Sequence, residues 1–299
     1  MILYAETCIM KTKVLVLAAV FLLVPLAVVA GESPLHGIWK VDANTIRASH
    51  PHAFVIKDGI YECQSCTPSF SLPADGAFHA VPSDPRRDEM AVLVIDAHKV
   101  QITERKNGIM VANTLREMNG DNALAEVTYQ DFSGKSPVIS KFRHHRDGMA
   151  SGDAHPVSGN WHKAVYTSVS NSGRAFTYNV NGRRMEMNDP RGHAFVARMD
   201  GSEAPYTGSH LVSSVSVEKL APHRVRMQTR HEGQVVGITT VHVLPGGNMM
   251  RVVKESPVDG SRLSYVAMRV RSTSLTSDLA PMGGISPGSC DAGGCATVR

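Results

Sequence analysis

The sequence predicts an all-β protein, and three observations carry that expectation. Apolar and polar residues alternate, as where Val215 and Val217 alternate with Ser216 and Glu218, and Val225 and Met227 with Arg226 and Gln228; a period of two marks strands with one buried and one wet face. Strand-length runs recur every 8 to 12 residues with turn signals between them. No stretch from Gly31 onward keeps a helical apolar period over three turns. Closing such short up-and-down strands into barrels removes the two open edges of a flat sheet, so antiparallel barrels are expected, with β-sandwiches as the alternative.

The elements follow in chain order. Lys11 and Lys13 precede an apolar run from Val14 to Ala30 that ends in the small residues Val28 and Ala30, the three-part order of a secretory signal peptide. That run contains Pro25 and is 17 residues long, short of the roughly 20 that span a bilayer. Residues 1–30 are therefore expected to be removed, leaving a periplasmic or secreted protein without a transmembrane segment. Met10, directly before the lysines, is a second candidate start.

Beyond Ala30 the chain repeats itself. Pro34-Leu35-His36-Gly37-Ile38-Trp39 is echoed by Pro156-Val157-Ser158-Gly159-Asn160-Trp161 at an offset of 122, and these are the only two tryptophans. Ala53-Phe54 matches Ala175-Phe176 at 122, while His98-Lys99-Val100 matches His223-Arg224-Val225, Gly108 matches Gly233 and Val111 matches Val236, all at 125. The expected organisation is a first β repeat over 34–146, a linker over 147–155, a second repeat over 156–272 and a Ser/Gly-rich tail over 273–299, each repeat folding round its own indole. Within the second copy, Glu232-Gly233 joins the strand ending at Arg230 to the β-branched run Gln234 to Val243, and Pro245-Gly246-Gly247-Asn248 ends that run. Asn107-Gly108 and Asn119-Gly120 hold the equivalent turns of the first copy, suited to the positive φ of a type I′ turn.

The segment Phe195 to Gly208, the run Val217-Glu218-Lys219-Leu220 through His223-Arg224-Val225, Gly233-Gln234-Val235-Val236 and the two Gly-x-Trp openings resemble exported bacterial lipocalin-like proteins built from Gly-x-Trp β-barrel repeats. The resemblance covers most of residues 34–272 and implies two tandem small antiparallel lipocalin-like β-barrels. In such barrels the glycine lets the chain bend at the floor and the indole plugs that end, stacked under an arginine of the last strand. Gly37, Trp39, Gly159 and Trp161 take those structural roles by resemblance, with Arg143 and Arg269 or Arg271 as the stacking arginines. A Thr-Asp-Tyr loop, the other familiar lipocalin signature, is lacking, and each copy is shorter than a typical lipocalin.

Chemistry is sparser. Four cysteines remain after Ala30, Cys63, Cys66, Cys290 and Cys295, and in an oxidising compartment they are expected to form disulfides, either local or between the CxxC and the tail. Fourteen histidines, densest at His50-Pro51-His52 and His144-His145, show no third ligand at fixed spacing, so no metal site or cofactor is expected. Met185, Met187 and Met199 read as barrel lining. No Gly-x-Ser-x-Gly elbow or framed carboxylate pair occurs, so an enzyme is not expected. The charge balance, 31 basic against 27 acidic residues, is spread without a basic stripe, which argues against nucleic acid as a partner. The functional expectation is a non-enzymatic binder of a small apolar or amphipathic molecule. The alternatives are an envelope-structural or interaction module with filled barrels and, more weakly, a metal-handling protein.

Overall fold

The computed structural model describes residues 32–118, 120, 123–148 and 152–271. The signal-type segment, the tail with Cys290 and Cys295, and most of the Asn119 turn lie outside them. Among the described residues the chain is almost wholly antiparallel β. The first half comprises β1 (Gly37–Lys57), β2 (Ile60–Cys63), β3 (Phe70–Pro73), β4 (Asp75–Asp84), β5 (Arg87–Asp96), β6 (Lys99–Lys106), β7 (Ile109–Met118), β8 (Leu124–Asp131) and β9 (Val138–Asp147). The second comprises β10 (Gly159–Val169), β11 (Ala175–Asn181), β12 (Arg184–Asn188), β13 (Ala194–Arg198), β14 (Asp200–Thr207), β15 (Ser214–Ala221), β16 (Arg224–His231), β17 (Gln234–Val243), β18 (Met249–Glu255) and β19 (Arg262–Arg269). One 3-10 turn, Asn171–Gly173, separates β10 from β11.

Ten strands close on themselves. The start of β1 pairs with β11, each strand from β11 to β19 pairs with the next, and β19 pairs back with β1, Trp39 opposite Arg269. The result is a closed antiparallel barrel with no free edge, which removes the sandwich alternative for these strands. Inward positions alternate as the sequence requires: Val215 and Val217, Val225 and Met227, Val241 and Val243, Met250 and Val252 are buried round one core. The remaining ladders run from β4 to β10, cross to the second half of β1, and continue to β2 and β3. Only Ala74 separates β3 from β4. These strands wrap a second core that includes Phe54, Met90, Val92, Val100, Val127 and Phe142.

The packing units and the sequence repeats are out of phase. Trp39 lies in the core built by β11–β19, and Trp161 in the core built by strands of residues 54–142. The expectation that each copy folds round its own indole is corrected on this point: the opening strands are exchanged. The physical reason is the length of β1, 21 residues, whose first part closes the barrel beside β19 and whose last part lies between β10 and β2. The described end of the segment expected to be a linker contacts β1: the His155 amide donates to the Ile56 carbonyl at 2.7 Å and Lys57 lies 3.8 Å from Asp153. The described residues accordingly group as one compact unit.

The turns carry the expected backbone. Asn107 and Gly108 have φ of 52° and 74°, and Glu232 and Gly233 have 49° and 81°, positive at both centres as a type I′ turn requires.

Candidate ligand cavities

Each core ends in a floor made by a Gly-x-Trp opening. The indole N–H of Trp39 donates to the Leu35 carbonyl at 3.1 Å and that of Trp161 to the Val157 carbonyl at 3.2 Å, so both buried rings have their one donor satisfied. Arg269 lies 4.5 Å from the Trp39 ring centre. It also donates to the carbonyls of Pro34 at 2.6 Å, Gly247 at 2.9 Å and His36. At the other floor the stacking residue is Arg146, 5.3 Å from the Trp161 ring centre and donating to the carbonyls of Pro156 and Ser158 at 2.6 and 2.8 Å. Arg143, expected in that place, instead pairs with Glu126 at 2.9 Å on the surface. Strand alternation explains the difference: Phe142, His144 and Arg146 face inward and Arg143 outward.

The glycines make room for these arginines. Gly37 and Gly159 have φ of +127° and +147°, and a Cβ on either would meet the arginine above it, Arg269 or Arg146.

Above the floors lie two cavities. The larger, about 530 Å³, opens inside the closed barrel between Phe176, Tyr178, Met187, Phe195 and Leu263. The smaller, about 330 Å³, lies inside the other body between Tyr61, Phe70, Met90, Ile102, Val127 and Phe142. Arg86, Tyr129, Tyr166 and Ser261 line both, so the two spaces adjoin. Met185 and Met199 are buried in the barrel core, while Met187 lines the larger cavity.

The junction between the cavities is charged. Arg86, in the turn between β4 and β5, reaches Asp259, in the turn between β18 and β19, at 2.5 Å and Asp84 at 3.2 Å. Arg87 pairs with Glu104 at 2.6 Å, and Arg191 pairs with Asp131 at 2.6 Å. Burial alone raises a carboxyl pKa, but at Asp259 the Arg86 charge and its hydrogen bonds outweigh it and hold the group below the usual range. At Asp84 burial is likewise outweighed, by Arg87 and Arg86 together.

The floor of the smaller cavity holds polar groups that sequence reasoning missed. Tyr61, Arg116 and His144 are all buried, at 1 %, 3 % and 2 % exposure. Tyr61 Oη lies 3.1 Å from His52 Nε2, and the Arg116 guanidinium lies 3.1 Å from His144 Nδ1 and 4.7 Å from the Trp161 ring centre. Burial pushes the Tyr61 phenol well above its ordinary value, so it stays protonated. Burial likewise lowers Arg116, to about 10, with no carboxylate counteracting it; the side chain remains a cation at neutral pH.

Cys63 and Cys66 form a local disulfide with Cα atoms 5.5 Å apart, and Cys66 borders the smaller cavity. Among the described residues no three His, Cys, Asp or Glu side chains come together as metal ligands, and none of the helical structure is long and apolar enough to cross a membrane.

No protein-family model matches the chain, and no curated protein matches it.

Proposed function

We propose that this is an exported, non-enzymatic binding protein, two lipocalin-like barrel bodies that hold a small apolar or amphipathic molecule in their interior. The observation that carries the reading is the pair of adjoining cavities of about 530 and 330 Å³ inside β walls, the larger mostly apolar and the smaller of mixed polarity, within the size range of small-molecule sites. The run of residues 11–30 supports export, and the Gly-x-Trp floors with their arginines support the lipocalin-like description. The alternative of an interaction module with filled barrels expects no interior space of roughly 300 Å³ or more, and both cavities exceed that.

Native mass spectrometry of protein purified from its own extracytoplasmic fraction, followed by displacement of a fluorescent fatty acid, tests the proposal. A co-purified small molecule that the fluorescent probe displaces is the expected result. Absence of both a bound molecule and any probe binding overturns it.

A further inference from the structure

The internal repeat supplies a comparison within one molecule. Gly108 aligns with Gly233 and Val111 with Val236, which places Arg116 of β7 against Val241 of β17. The ladders agree: Arg116 lies between Val100 and Val127, and Val241 between Val225 and Val252. By the same ladders Tyr61, between Ile56 and Leu72, corresponds to Met185, between Val180 and Ala197. His144, opposite Ala125, corresponds to Ala267, opposite Met250. One floor thus carries three polar groups at positions where the other carries Met, Val and Ala, all three fully buried. The fold does not need polarity at these places, since the same architecture closes with apolar side chains.

Arg116 is the group that calls for a ligand. Its exposure is 3 %, it lines the smaller cavity, and its Nε has no hydrogen-bond partner. Among the described residues its Nη1 hydrogen-bonds to the ring nitrogen of His144, and the guanidinium lies against the faces of Trp161 and Phe54. The other two arginines of the cavity, Arg86 and Arg87, are both paired with its carboxylates, Asp84, Glu104 and Asp259. A buried guanidinium without an anion is costly, and a planar two-oxygen anion meets its fork best.

We infer that the smaller cavity takes a carboxylate-bearing amphiphile, its head group on Arg116 beside Tyr61 and its tail running past Tyr129 and Tyr166 toward the larger cavity. This rests on the ligand-binding reading above and narrows it to a substrate class. A single unpaired cation flanked by a phenol matches one negative charge; a dianionic phosphate would leave a charge uncompensated, since Arg86 and Arg87 are already paired with Asp84, Glu104 and Asp259.

The test is calorimetric titration of the whole protein with dodecanoate, dodecanol and dodecyl phosphate, in the natural chain and in Arg116→Val, which installs the residue the other floor already carries. Dodecanoate is expected to bind the natural protein about tenfold or more tighter than dodecanol, and Arg116→Val to erase that difference while leaving dodecanol unchanged. Equal binding of acid and alcohol by the natural protein overturns the inference and leaves the binding function standing, and this comparison requires no variant to fold. Tighter binding of dodecyl phosphate than of dodecanoate overturns the carboxylate assignment. Binding of none of the three overturns the ligand-carrier reading itself.

Discussion

Trp39 and Arg269 face each other across the ladder that closes the barrel, the guanidinium 4.5 Å above the indole and hydrogen-bonded to carbonyls on both sides of the seam. Their contact fastens the start of β1 to the last strand. Arg146 repeats the arrangement over Trp161, so each body has one such fastening.

Replacing either arginine by alanine removes several charge-assisted hydrogen bonds and the packing over an indole. Arg269→Ala and Arg146→Ala are each expected to cost about 2–4 kcal/mol in urea denaturation. Lysine, with a point charge and no fork, restores little of it. Arg143→Ala, which breaks only the exposed pair with Glu126, is expected to stay within about 1 kcal/mol of the natural protein. Equal effects at 143 and 146 would contradict the placement.

Gly37→Ala and Gly159→Ala test the floor from the other side. Each puts a Cβ at positive φ and against an arginine, so a loss of at least about 1 kcal/mol is expected. A melting temperature unchanged by both substitutions would refute the claim that glycine is required by the arginine's approach.

The exchange of opening strands is open to fragment complementation. Residues 34–146 alone lack the strand with Trp161, and residues 156–271 alone lack the strand with Trp39. Neither fragment is expected to show a cooperative thermal transition, while an equimolar mixture regains one. A monomeric fragment that unfolds cooperatively by itself is incompatible with the strand exchange.

Acid should loosen the junction. Asp259 and Asp84 have carboxyl pKa values held below the ordinary one, so their stabilising effect is complete above the unfolded value near 3.9 and is lost as pH falls through the lower folded values. Stability is expected to be level from pH 7 to about 4.5 with respect to these groups and to decline below about 4. Asp259→Asn is expected to lose about 1–2 kcal/mol at pH 7 and to show a shallower acid decline. An Asn variant as stable as the natural protein at pH 7, with the same acid slope, counts against the ion pair.

Much of the strand structure was legible because burial on one face writes itself into alternating residues. The runs over Val215, Val225 and Gln234 became β15, β16 and β17, and Asn107-Gly108 and Glu232-Gly233 turned as their chemistry asks. Partnership was not legible, because alternation specifies which face is buried and not which strand lies alongside. The Trp39 strand suits either core equally well, and only the ladder to β19 reveals its place. Arg146 was within reach, since it shares parity with Phe142 and Arg143 does not. Arg116 left a signal too: at offset 125 it meets Val241, a charge at an inward position that its counterpart fills with a hydrocarbon.

The closure of β1 on β19 also has a consequence for how the chain comes into being. The contact of Arg269 with the carbonyl of His36 joins residues 233 positions apart, so at ordinary elongation rates the seam waits on the order of 10–50 s for its second half to be made. Until then the start of the first strand can pair only on its β11 side, its β19 edge stays open, and the ten-strand barrel cannot close on a nascent chain. Assembly therefore finishes only after the last strand emerges, with the earliest residues among the last to settle.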